Sequence, residues 1–213
     1  MSAVAFPSSG TTTVVPGAPP AHDPLTDRLL AAAVEVFTDK GFEKAGVAAI
    51  ARRAGVTTGA IYSRWSGKHE MMLDALDVVM LDQLDQLLSA GRADAPDILS
   101  ALGAELVVRS DAADALVAEA MVIARRDPEF NEMLSRRLAE QEQKLAEVID
   151  GGKAAGLIDP SLSTDAIVTL CHAIGIGFAM FGSIARPLPA ADGWNAVIRR
   201  LIVAARPAAD PDL

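Results

Sequence analysis

Cysteine occurs once in this 213-residue chain, at Cys171, so no intrachain disulfide can form and nothing marks the chain for an oxidising compartment. Aromatic residues make up only 4 %, so the core must be built mainly from aliphatic side chains. Sustained alternation of β-branched and polar residues is missing, which argues against a sheet, whereas abundant Ala and Leu favour helices because they lose little side-chain entropy there. His22, His69 and His172 stand apart, and no Cys/His/Asp cluster has metal-ligand spacing. No Ser, Cys or Lys lies in a nucleophile motif. Gly175-x-Gly177-x-x-x-x-Gly182 follows no strand and misplaces its third glycine for a dinucleotide loop. An enzyme is therefore not expected, nor a metal or other cofactor.

Residues 1–23 lack a basic segment followed by an apolar one and include three Thr in a row and Pro-Gly-Ala-Pro-Pro, which reads as a flexible tail rather than a secretory signal. Residues 207–213 read as a flexible end. Ala166–Ala185 carries no ionised side chain and is long enough to span a bilayer. Thr169, His172, Ser183 and three glycines dilute it, and no Lys/Arg cluster flanks it, so it reads as a packed helix of a cytoplasmic protein with no membrane partner.

The net charge of −9 is unevenly spread. Residues 24–70 hold seven basic and five acidic groups, and residues 71–213 hold twelve basic and twenty-two acidic ones. A mildly basic head on an acidic body suits a nucleic-acid-binding module joined to a regulatory one.

The expected fold is all-α with about nine helices: a three-helix head over residues 24–67, a regulatory and dimerisation body over 68–206. Thr26 or Asp27 can cap a first helix with Leu30, Ala33, Val34 and Phe37 at helical spacing, stopped by Gly41. Val47, Ile50, Ala51 and Ala54 repeat that spacing up to Gly55, and Thr57 or Thr58 caps a third helix reaching about Trp65. One long helix is expected over about Lys68–Ala90, then helices near Pro96–Arg109, Ala112–Arg125, Pro128–Gly151, Thr164–Ile184 and Trp194–Ile202.

A helix-turn-helix needs a small residue where its helices approach, a tight turn, and apolar anchors that set the second helix's angle. Ala51 supplies the first, Gly55, four positions on, the second, and Ile50, Val56 and Ile61 the third. With Ile61 inward, Thr57, Thr58, Gly59, Tyr62, Ser63 and Arg64 lie near the opening or outer face of the reading helix. Backbone amides and Thr hydroxyls there can contact phosphates, Gly59 leaves room for the DNA backbone, and Arg64 can read guanine or hold a phosphate. Arg52, late in the preceding helix, and Lys68, after the reading helix, complete the candidate DNA-binding set.

These residues carry a family pattern: Phe37-x-x-x-Gly41-Phe42, then Ile50-Ala51-x-x-Ala54-Gly55-Val56-Thr57-x-Gly59-x-Ile61-Tyr62-x-x-Trp65, and Lys68 before an apolar helix. Arg28 through Met72 resembles the N-terminal domain of TetR-family transcriptional regulators. The resemblance implies DNA contacts for Tyr62, Thr57, Gly59 and Lys68, a dimer formed by the last two helices, and a ligand-binding body. The sequence departs from the pattern at Ala45-Gly46, where a capping Thr or Ser is common, at Trp65 for Phe, at His69 for Glu, and at Arg64, where His or Tyr is common.

The resulting expectation is a homodimeric regulator, a repressor, that binds near-palindromic double-stranded operator DNA and releases it when a small apolar or amphipathic effector enters the body. Candidate effector contacts are Leu84, Leu88, Leu102, Leu106, Met121, Met133 and Phe178. Candidate dimer contacts are Ile167, Cys171, Ile174, Gly175, Phe178, Trp194, Ile198, Leu201 and Ile202. The competing reading is a small-molecule-binding or scaffolding helical protein without operator recognition.

Overall fold

The computed structural model describes residues 23–89 and 94–207, and every regular element among them is helical. The head comprises α1 (Pro24–Lys44), α2 (Val47–Ala54) and α3 (Thr58–Tyr62). Next, α4 (Lys68–Leu76) runs through a π-helical stretch, Asp77–Leu81, into α5 (Asp82–Ser89). The body continues with α6 (Ala95–Glu105), α7 (Asp111–Arg126), α8 (Pro128–Ala154), α9 (Thr164–Ser183) and α10 (Ala191–Ala204). The expected nine helices become ten among the described residues, because the single helix expected over Lys68–Ala90 changes hydrogen-bond register in its middle. Of the two expected flexible ends, only Asp23 and Pro207 fall within the described residues.

The start of α1 corrects the expected cap. Asp23, rather than Thr26 or Asp27, accepts from the Leu25 and Thr26 amides at 2.8 and 3.0 Å. Pro24 explains the shift: at the first helical position its missing N–H is no loss and its fixed φ already suits the helix. Gly41 breaks α1 near its end, with φ 72° and ψ 158°, a conformation an L side chain rarely adopts. Further on, Ser110, Asp127 and Ser163 cap α7, α8 and α9 through their side chains.

Two apolar clusters organise the chain. The larger joins head to body: Leu29, Leu30, Phe37, Phe42, Ile50, Ile61 and Trp65 pack with Met71, Met72 and Leu76 of α4, with Leu116, Val117 and Ala120 of α7, and with Phe130 of α8. The smaller lies at the far end of the body, where Leu84 of α5 meets Ile98, Leu145, Ile149, Ile158 and Val168. The π-helical stretch sits between the two. α9, the one described helix long and apolar enough to cross a membrane by composition, packs along α7 and α8. Close approach requires Gly182, where a Cβ would overlap the Asp114 carboxylate of α7.

Candidate functional site

The helix-turn-helix is built on a dry base. Ile50, Ala51 and Ile61 are each at most 2 % exposed, so α3 is anchored by burial. Gly55 takes the left-handed conformation, φ 69° and ψ 34°, and the next amide, of Val56, returns to Ala51 C=O at 2.9 Å. α2 starts at Gly46 without a side-chain cap, consistent with the missing Ser or Thr there. Arg52, Thr57, Thr58, Gly59, Tyr62 and Ser63 are all exposed. Tyr62, 60 % exposed, stands out because an aromatic ring gains nothing from solvent there and forms part of no cluster.

Two residues expected to face DNA are turned elsewhere. Arg64 is half-buried: its Nε donates to Thr26 Oγ1 at 3.0 Å and its Nη2 to Asp23 Oδ2 at 3.0 Å, tying the reading helix to the first turn of α1. The Thr26 amide, with the Arg64 guanidinium next in weight, brings the Asp23 carboxyl down to about 2. Lys68 points back into the protein, donating to Phe42 C=O at 2.8 Å with its ammonium 4.1 Å from the centre of the Phe42 ring. There it satisfies a carbonyl at the end of α1. Lys68's place in the sequence reveals neither the carbonyl nor the ring that Phe42 presents to it. At the start of α4, Glu70 reaches back to the Ser66 amide at 2.7 Å and to its hydroxyl at 2.8 Å, which lowers the Glu70 carboxyl.

Sequence reasoning missed the polar links that run from head to body. Trp65, 2 % exposed at the end of the reading helix, donates its indole N–H to Asp74 Oδ2 at 2.7 Å. Arg137 of α8 donates to the other oxygen of Asp74 at 2.9 Å and also pairs with Asp77 of the π-helical stretch. Beside them, Glu119 of α7 accepts the Phe42 amide at 2.5 Å, a donor freed by the break at Gly41. His69 stacks on Phe42, ring centres 5.1 Å apart, and reaches Asp127 at 3.0 Å. The substitutions of Trp for Phe and His for Glu were visible in the sequence; their partners, 9 and 58 positions away, were not.

Within the body lies a cavity of about 480 Å³. Of the candidate effector contacts, Leu84, Leu102 and Leu106 line it. Leu88 is exposed at 39 %, Met121 and Met133 pack against the larger cluster, and Phe178 packs against Trp194 with ring centres 4.5 Å apart and planes tilted by 49°. Seven of the candidate dimer contacts, Ile167, Cys171, Ile174, Gly175, Ile198, Leu201 and Ile202, line the same cavity. Gly175 and Ile198 are buried within the chain, and Trp194 is fixed by donating its indole N–H to Gly103 C=O at 2.7 Å. The large apolar side chains that α9, α10 and the α9–α10 loop leave most open are Leu170, Phe181, Ile184, Val197, Leu201 and Val203, of which Leu201 is a candidate dimer contact. A helical stripe cannot distinguish a face covered by the chain's own α6 from one left open.

A dry three-helix head with an exposed reading helix, carried by a helical body, defines a helix-turn-helix protein. Residues 29–75 match the family model described as bacterial regulatory proteins, tetR family. An uncharacterized HTH-type transcriptional regulator of Mycobacterium tuberculosis is 28 % identical over 121 residues, which are 55 % of this chain and 62 % of that protein. The HTH-type transcriptional activator FasR of Mycolicibacterium smegmatis is 40 % identical over 71 residues, 33 % of this chain and 31 % of FasR. The chain thus matches less than two thirds of the length of these relatives. The transcriptional regulator FadR from Bacillus subtilis, solved in complex with stearoyl-CoA, shares the fold with a TM-score of 0.67 at 17 % identity, over 84 % of this chain and 98 % of FadR. The tetR-family match thus covers the head from Leu29 and α4 as far as Ala75.

Proposed function

We propose that the protein is a cytoplasmic, homodimeric transcriptional regulator that represses by binding a near-palindromic double-stranded operator and is released by a small apolar or amphipathic effector. The observation that carries DNA binding is the exposed row Thr57, Thr58, Gly59, Tyr62 and Ser63 on a reading helix anchored on its other side by the buried Ile61. Arg52 extends that surface from α2, and Arg64 joins it by exchanging Asp23 for a phosphate or a guanine edge. Lys68 acts indirectly, by holding the end of α1 in place. Two reading heads need a dimer, and the open apolar side chains Leu170, Phe181, Val197 and Leu201 supply a face for one.

The effector site of this reading is the cavity, whose wall includes Leu84 just beyond the π-helical stretch that leads back to the head. An effector releases DNA only by favouring an arrangement of heads that does not fit the operator. Gel shift with the DNA upstream of the protein's own coding region tests the proposal. Binding is expected to weaken in Tyr62→Phe and Arg64→Ala while helicity is retained, by about 1–3 kcal/mol where Arg64 reads a base. Unchanged affinity of both variants at matched salt removes the reading helix from the account, and absence of any shift favours a ligand-binding or scaffolding protein without operator recognition.

A further inference from the structure

The cavity is walled unevenly. Leu84, Leu145 and Ile198 of its wall are buried, and Arg109 closes one side by donating to Gly175 C=O at 3.0 Å and pairing with the buried Asp114. Leu170 of α9 and Leu201 of α10 belong to the same wall yet are 53 and 49 % exposed, with Leu162, Ala166 and Ala204 exposed beside them. The packing of the body explains the opening: α9 lies along α7 and α8, α10 lies on α6, and the cavity occupies the space between the two. One molecule therefore supplies the floor and sides but no roof. An apolar guest of such a cavity would keep one side in water, whereas small-molecule sites bury about 70–90 % of what they hold.

The mouth leads onto an apolar face. Ala166, Leu170, Ala173, Gly177 and Phe181 recur at helical intervals along α9, and Val197, Leu201 and Ala204 do so along α10. A Cβ at Gly177 would meet only open space. Leu170 and Leu201 belong both to this face and to the cavity wall, so a body that covers the face also roofs the cavity. The α9 strip holds no ionised side chain, which gives a charged partner nothing to pair with and lets the strip meet its own copy across a two-fold axis without like charges opposed. Residues 208–213, which follow α10, contain two Asp and a single large apolar residue, Leu213, too little to cover both strips.

We propose that a second copy of this chain roofs the cavity, so that the ligand site is complete only in the dimer. This rests on the homodimer and on the cavity being its effector site, and it adds a direction to the regulation: ligand and dimerisation strengthen one another, because coupling between two binding events is reciprocal. A ligand that favours the dimer does not free DNA by separating the protomers. Release runs instead through the spacing of two heads that stay joined.

The test titrates the uncharged apolar dye N-phenyl-1-naphthylamine into the full-length protein at concentrations below and above its monomer–dimer midpoint, located by analytical ultracentrifugation. The dimer is expected to bind the dye about tenfold more tightly than the monomer, a factor that about 55 Å² of additional apolar burial supplies. Saturating dye should then tighten dimerisation about a hundredfold, the tenfold factor squared, since each dimer holds two cavities. Phe181→Glu combined with Val197→Glu changes exposed residues outside the cavity wall, and this variant should have the mass of one chain and the weaker dye affinity of the diluted wild type. Equal affinity of wild-type monomer and dimer, or a dimerisation midpoint that dye leaves unmoved, overturns the proposal while the homodimer stands. A monomeric variant that keeps the tight affinity also overturns it, and the wild-type dilution series decides even where the variant misfolds. A wild type that is monomeric throughout overturns both the roof and the homodimer, and absence of dye binding overturns the site. Should the dye bind the dimer selectively yet leave the gel shift unaltered, the effector reading fails and the shared site stands.

Discussion

The two ends of the molecule are finished to different degrees. In the head and the shoulder beneath it, α1 alone buries eight side chains and the cluster reaches Phe130 and Leu134 of α8. At the opposite end, the 20-residue α9 buries three residues and the 14-residue α10 only Ile198, although both are rich in apolar side chains. The first region has satisfied its hydrophobic demand within one chain. The second has not, and its open Leu, Ile, Val and Phe side chains need a covering surface, which a second copy would supply.

That contrast can be broken most forcefully at Phe42, 2 % exposed and in contact with Phe37, His69, Phe130 and Lys68. Phe42→Ala should cost about 3–5 kcal/mol in urea denaturation, and a smaller loss would mean that the shoulder is less tightly packed than its burial indicates. Asp74→Ala strands the Trp65 indole N–H and one contact of Arg137, so stability should drop by about 1–3 kcal/mol with a change in Trp65 emission. On the unfinished end, Val197→Glu combined with Leu201→Glu should leave helicity intact and alter protomer stability by no more than about 0.5 kcal/mol. Light scattering should then report the mass of a single chain where the parent reports two. A parent that is already monomeric at micromolar concentration refutes the contrast.

The smallest effect belongs to Asp23. Its folded-state pKa of about 2 lies below the ordinary 3.8, so its contribution is complete above the ordinary value and is lost as pH falls through about 2. Melting curves of wild type and Asp23→Asn should therefore differ at neutral pH and converge on acidification through that window; a constant difference would assign the effect of Asp23 to shape rather than charge.

The head was legible in the sequence because its determinants are local. Ala51, Gly55 and Ile61 lie within eleven positions of one another and were assigned their roles from spacing alone. Helix number and order in the body were almost as readable, since Leu134, Leu145 and Ile149 repeat at helical intervals and all prove buried. What could not be read was which apolar faces meet within the chain. Ile198 and Gly175 have the same pattern as Val197 and Leu201, yet α6 covers the first with Gly103 and Leu106 approaches the second. Polar partners distant in sequence were equally hidden: Arg64 was assigned to DNA because Asp23 lies 41 positions away, and Arg109 passed unnoticed because its partner Gly175 is 66 away.

The π-helical stretch Asp77–Leu81 makes one rod serve two cores. A π turn accommodates one residue more than an α turn, so everything beyond it is rotated by about 100° relative to an uninterrupted α-helix. With that phase shift, Met72 and Leu76 face the shoulder of the head while Leu84 faces the cluster around the cavity. An uninterrupted α-helix through the same residues would turn Leu84 off the cavity wall, so the phase of this short segment and the shape of the cavity are a single variable.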